Sequence, residues 1–176
     1  MANGPSGPGT LEADANATIT DVAVVGNEMT MTSPNDNAGS IGVVGFLGGA
    51  VPVTIADSII ADNTSTADAP NGAATIQGAG VTNDSDLVLD NVIVFGNKGV
   101  AYGESGSAEG GGIWNGSVFD GPVPSLALDD SSVIGNVLSG TPPITLQGAG
   151  VYTQGTPSTL TNSLMAHNIP DQCYGC

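Results

Sequence analysis

The chain has 176 residues, 40% hydrophobic but only 4% aromatic. That is enough for one domain with a core of Val, Ile, Leu and Ala, and too apolar for gross disorder. Its 27 Gly and 11 Pro argue for turns and extended chain over helix. Seventeen acidic residues stand against one Lys, Lys98, and no Arg, a net charge of −16; this disfavours nucleic acid and anionic membranes, and no run of 18 apolar residues offers a membrane span.

Residues 1–10, MANGPSGPGT, have neither the basic nor the apolar region of a secretory signal and read as an irregular leader. From residue 17 the chain repeats. An eleven-residue phrase occurs five times without internal gaps: ATITDVAVVGN, VTIADSIIADN, LVLDNVIVFGN, LALDDSSVIGN and STLTNSLMAHN, starting at 17, 53, 87, 126 and 158. Between copies lies a Gly-rich phrase: IQGAGV at 76–81, GGGI at 110–113 and LQGAGV at 146–151, with weaker forms at 39–44 and 7–11. A unit of this length, with short apolar segments and Gly-rich corners, cannot bury its own apolar face, but stacked copies can. The expected fold is therefore all-β: one domain over 1–176, a single-stranded right-handed parallel β-helix of about five coils.

Successive coils of such a solenoid lie about 4.8 Å apart, so equivalent residues form columns. The third position of the phrase (Ile19, Ile55, Leu89, Leu128, Leu160) is expected to be a core column. The last position is Asn27, Asn63, Asn97, Asn136 and Asn168. An amide there can bond to the coils on either side and to backbone exposed at a bend, and Asn itself tolerates the left-handed backbone of such bends. The fifth position, Asp21, Asp57, Asn91, Asp130 and Asn162, is expected to mark a second bend, with amides softening repulsion between carboxylates. GAGV and GGGI suit a corner where backbones approach closely, after which Val81, Ile113 and Val151 begin an inward-facing strand.

The segments 98–110 and 114–125 read as loops that protrude together and form a candidate binding surface with Tyr102, Trp114 and Phe119. Trp114 suits either a sugar or partner anchor or a lid on the local core. His167, the only His, is expected in solvent near a bend. Four Asn-x-Ser/Thr triplets begin at Asn16, Asn63, Asn83 and Asn115. Residues 169–176 read as a C-terminal tail or cap. A Cys173–Cys176 disulfide fits an exported protein. The thioredoxin-like reading lacks a βαβ context, the haem reading lacks a following His, and a zinc site lacks ligands.

The paired phrases, GAGV or GGGI with VVGN, IADN, VFGN, VIGN and MAHN, resemble the two short motifs of polymorphic outer membrane protein repeats, a Gly-Gly-Ala-Ile type and a Phe-x-x-Asn type. The chain is also similar to exported bacterial right-handed β-helix proteins with a Cys-containing tail. Val, Ile or Met stands throughout where that motif begins with Phe. The resemblance covers about residues 7–176 and implies a secreted or surface-displayed structural or binding module, adhesin-like, with a glycan or protein ligand. The two open ends of a solenoid further suggest end-to-end association of copies into fibres.

A polysaccharide lyase needs a basic residue and cations for an anionic sugar, and Lys98 stands alone. A glycoside hydrolase needs two carboxylates across a groove; Asp90 and Asp129 would lie one coil apart, with Asp130 beside them, although solvated strand and bend residues explain them as well. The expectation leans away from an enzyme. Calcium would find oxygen ligands at Asp84 and Asp86 in NDSD, but no Asp-x-Asn-x-Asp-Gly loop occurs and a polar turn is expected, with no cofactor. An ice-binding face would need unbroken Thr columns. The second position (Thr18, Thr54, Val88, Ala127, Thr159) and the fourth (Thr20, Ala56, Asp90, Asp129, Thr161) are interrupted.

Overall fold

The structure of the chain, a computed structural model, describes residues 16–118, 121–122, 124–141, 143–155 and 158–176. All regular structure among these residues is β-strand, arranged as a parallel solenoid of about four turns with three parallel sheets. The five copies of the eleven-residue phrase are corners that bound those turns, so the coil count is one lower than the copy count suggests. The expected 1–10 leader lies outside the described residues.

Sheet I contains Ala17–Thr20, Val44–Ala56, Val81–Asp90, Ile113–Asn115, Leu126–Asp129, Val151–Thr153, Thr159–Thr161 and Cys173–Tyr174. Sheet II is five three-residue strands: Ala23–Val25, Ile59–Ala61, Ile93–Phe95, Ser132–Ile134 and Leu164–Ala166. Sheet III contains Glu28–Thr32, Ala38–Ile41, Thr64–Gln77, Lys98–Glu109, Val137–Gly140 and Thr145–Gln147. Each eleven-residue phrase thus runs down the end of sheet I, turns, crosses sheet II and turns again into sheet III.

The register is the one the repeats demand. Ile19 pairs with Ile55, Ile55 with Leu89, Leu89 with Leu128 and Leu128 with Leu160. Val24, Ile60, Val94, Val133 and Met165 form the matching column of sheet II. Val44, Val81, Ile113, Val151 and Cys173 form a further column on sheet I. These columns meet in an aliphatic core between sheets I and II, except at Leu160, which stands 40% exposed on the last turn, so the expected core column ends at Leu128. A second core lies against sheet III and is mainly Ala: Ala67, Ala69, Ala74, Ala101, Ala108 and Ala149, with Ile76 and Leu138. That space is narrow. A Cβ at Gly99 would stand 3.2 Å from an Ile76 methyl and 2.7 Å from one of Leu138.

The narrow core explains why residues 98–110 do not form a loop. Lys98–Glu109 is a strand paired to Thr64–Gln77 on one side and to Val137–Gly140 and Thr145–Gln147 on the other. Its Gly, Ser and Ala content, which resembles a loop composition, is what fits between close backbones. Trp114 likewise sits on the strand Ile113–Asn115, not in the link that follows.

The bends divide between two positions. The fifth position of every copy is left-handed, with φ of 57° at Asp21, 48° at Asp57, 55° at Asn91, 48° at Asp130 and 48° at Asn162. This bears out the second bend. At the other bend, the left-handed residue is the one before the terminal Asn: Gly26, Asp62, Gly96, Gly135 and His167. The expectation that Asn itself takes this conformation is corrected. The preceding residue makes the turn, and the Asn side chain then points inward. The Gly-rich corner turns at Gly78, Gly110 and Gly148; at Gly110, with φ 69°, a Cβ would also lie 2.5 Å from the Ile113 carbonyl oxygen, so only Gly fits.

Candidate functional surface

The terminal Asn residues form a continuous ladder. Asn27 Nδ2 donates to Asn63 Oδ1 (2.9 Å), Asn63 to Asn97 (2.9 Å), Asn97 to Asn136 (3.0 Å) and Asn136 to Asn168 (2.9 Å). The backbone N–H of each also donates to the next Oδ1, at 2.9–3.1 Å. From Asn63 onward the same Nδ2 donates to a carbonyl of the preceding turn, at Val24, Ile60, Val94 and Val133. The four rungs from Asn63 to Asn168 are buried and Asn27 is exposed. Gln172 ends the ladder: its Oε1 accepts from Asn168 Nδ2 and N, and its Nε2 donates to the Asn168 carbonyl. The last rung is thus a Gln outside the repeat phrase, invisible to a search for Asn.

Two further ladders escaped the sequence reading. At the sixth position, Val22 N donates to Ser58 Oγ, Val92 N to Ser131 Oγ and Ser131 N to Ser163 Oγ, at 2.9–3.1 Å. The recurrence of Ser at 58, 131 and 163 was the available signal. On sheet I, Asn83 Nδ2 donates to Asn115 Oδ1 (2.6 Å), and Asn115 Nδ2 to Thr153 Oγ1 (2.8 Å) and the Pro124 carbonyl (3.0 Å). The register Asn83–Asn115–Thr153 could have been found by aligning residues two places after each Gly phrase. Asn63, Asn83 and Asn115 are completely buried, so three of the four glycosylation triplets are closed to modification; Asn16 is exposed.

The fifth-position column, by contrast, is exposed throughout. Within it Asn91 Nδ2 donates to Asp57 Oδ1 at 2.7 Å, an amide between carboxylates as anticipated. Asp90 and Asp129 are paired neighbours on sheet I, Asp90 exposed and Asp129 half-buried, with Asp130 at the adjoining bend. Asp86 Oδ1 accepts from Ser125 N (2.9 Å) and Oγ (2.7 Å). These bonds, the hydroxyl first, hold its carboxyl below the usual carboxylate range. Asp84 is buried nearby. Among the described residues no three His, Cys, Asp or Glu side chains converge as a metal site. The Thr columns of sheet I are in register but broken by Val88, Ala127, Asp90 and Asp129.

Tyr102 and Trp114 do not share a loop. Tyr102 is exposed on sheet III, in register with Asp68, whereas Trp114 is buried on sheet I. Phe119 lies outside the described residues. Trp114 instead heads a stack of parallel rings with Tyr152 (centroids 6.4 Å apart) and Tyr174 (5.2 Å from Tyr152), buried at the Trp114 end and exposed at Tyr174. The Trp114 indole donates to Glu109 Oε2 at 3.1 Å. Burial, followed by the nearby Glu109 charge and Tyr174, raises the Tyr152 phenol above its ordinary value. The Cys173–Cys176 disulfide is formed, and it closes the end of the strand that carries Tyr174. His167 is exposed at its bend.

The most distinctive open surface is the outer face of sheet II. Its outward columns are Ala23, Ile59, Ile93, Ser132, Leu164 and Val25, Ala61, Phe95, Ile134, Ala166, of which Ala61 is buried. Apart from Ser132 they are apolar. Val25 (50% exposed), Ile93 (48%), Phe95 (45%) and Leu164 (52%) stand in solvent. The face is bordered by Asp21, Asp57 and Asp130 on one edge and by Asp62 and His167 on the other. A shallow depression of about 450 Å³ joins the acidic edge to the apolar one, lined among others by Asp21, Asp57, Ala23, Ile59 and Ile93. Comparison of the chain with protein-family models, curated proteins and solved structures returned no match.

Proposed function

We propose that the chain is an exported structural and binding module, adhesin-like and related in design to the polymorphic outer membrane protein repeats its phrases resemble. Its work is presentation: a stiff solenoid holds fixed columns of side chains toward a ligand. The observation that carries this reading is the division of polar groups. Interior amides and hydroxyls are committed to ladder hydrogen bonds, while the outer faces carry ordered columns of apolar and acidic groups. Exposed apolar area of this kind, rimmed by polar residues, is typical of interaction surfaces. The Cys173–Cys176 disulfide supports export, since such bonds persist in oxidising compartments. End-to-end association through the solenoid ends belongs to the same proposal, with sedimentation at rising concentration as its measure.

A second reading rests on the paired placement of Asp90 and Asp129, which puts two carboxylates on neighbouring rungs of sheet I, as a glycosidase needs two carboxylates close together. One experiment separates the two. The chain is screened against a glycan panel for binding and for bond cleavage, alongside Asp90→Asn and Asp129→Asn. Binding without cleavage, unchanged in both variants, is expected. Cleavage that either variant abolishes would replace the module reading with an enzyme.

A further inference from the structure

We infer that the outer face of sheet II is a docking site for a short cationic amphipathic segment of another protein, an apolar stripe flanked by Lys or Arg. This inference deepens the binding-module reading and rests on it.

The size of the face points to a segment. Five rungs at about 4.8 Å and three residues of width make a stripe about 19 Å long and 10 Å wide, roughly 200 Å². A stable interface between folded partners covers about 800 Å² on each side. An amphipathic helix rises 1.5 Å per residue, so about 13 residues lie along the stripe. Such a helix would set its apolar side chains against Ile93, Phe95 and Leu164.

The charge points to a cationic partner. Asp21, Asp57 and Asp130 form one edge and are exposed, and the depression at that edge places carboxylates beside Ala23, Ile59 and Ile93. A residue with an aliphatic stem and a positive head matches both. A second copy of this chain does not. It has one Lys and no Arg, and it would bring the same acidic edge and a net charge of −16 against the first. An anionic membrane is repelled for the same reason.

The test uses the full-length chain and two synthetic amphipathic peptides of equal length, one of Leu and Lys and one of Leu and Glu, with titration calorimetry at low and high salt. One variant carries Ile93→Thr, Phe95→Thr and Leu164→Thr, which keep β-formers at outward positions. A second carries Asp21→Asn, Asp57→Asn and Asp130→Asn. Asn91 and Asn162 already occupy the same left-handed position, so this change removes charge and preserves the bend. The expected result is binding of the Lys peptide alone, weakened about tenfold or more by each variant and by salt. Unfolding midpoints close to the parent's would show that both variants remain folded.

No binding of the Lys peptide would overturn the inference, as would binding that the Thr variant leaves intact, which would be diffuse attraction to an acidic chain. Dimerisation of the parent that the Thr variant abolishes would assign the face to a second copy and also overturn it. A glycan-panel hit without peptide binding would sink this inference and leave the module reading standing. Cleavage of a glycan would sink the module reading separately.

Discussion

Asn97 shows what a single ladder residue does. Its Oδ1 accepts from Asn63 N and Nδ2, and its Nδ2 donates to Asn136 Oδ1 and the Ile60 carbonyl, all in a buried site. Each bond adds about 1 kcal/mol net, but a buried polar group left unpaired costs about 1–3 kcal/mol. Asn97→Ala removes one partner from several such groups at once and is expected to destabilise the fold by about 3 kcal/mol or more. Asn27→Ala, at the exposed end of the ladder, should cost less than about 1 kcal/mol. Equilibrium urea unfolding of the two variants checks the contrast, and equal losses would contradict it. Asp86 offers a pH test of the same kind. Its folded pKa is lowered by Ser125, so its contribution is complete above the ordinary carboxylate value and is lost as pH falls through the lower folded value. Asp86→Asn should flatten this part of the acid unfolding curve. Ser125→Ala should let Asp86 titrate closer to normal by NMR, and an unchanged titration would rule out the bond as the cause.

At the scale of the element, alternation decides which side chains matter. Val94 and Phe95 are neighbours on one sheet II strand, yet Val94 is fully buried and Phe95 is 45% exposed. Val94→Ala is expected to cost about 2 kcal/mol by loss of packing, whereas Phe95→Ala should change stability by less than about 1 kcal/mol despite removing more atoms. Thermal unfolding of both variants tests the register, and the reverse ranking would mean the strand faces the other way. Such elements were readable in the sequence because the eleven-residue phrase recurs without gaps, which made Leu89 and Leu128 or Asn97 and Asn136 equivalent on sight. The strand Lys98–Glu109 was not, since its Gly and Ser content matches loops and its cause is a narrow core that only three dimensions reveal. Gln172 was hidden because it completes the Asn ladder with a different residue, from outside the repeat. The apolar outer face of sheet II was hidden in plain view. Its residues alternate with core residues in runs such as IVF, and an unbroken apolar run does not disclose which side is open.

For the whole molecule, the ladders and aliphatic columns act along one axis and the charge acts over the entire surface. The net charge of −16, with a single Lys, makes self-repulsion a general cost of compaction. Added sodium chloride should therefore raise the unfolding midpoint through screening, and a midpoint that falls with salt would show that specific ion pairs matter more. The same arrangement leaves the outer columns free to meet a partner while the core stays unchanged, as a presenting scaffold requires. All of this depends on amides from successive turns lying directly over one another. The most direct measurement is NMR of the Asn side-chain amides. The account predicts slowly exchanging Nδ2 protons at Asn63, Asn97 and Asn136, with nuclear Overhauser contacts from each to the next rung. Rapid exchange at all three, without contacts between them, would contradict it.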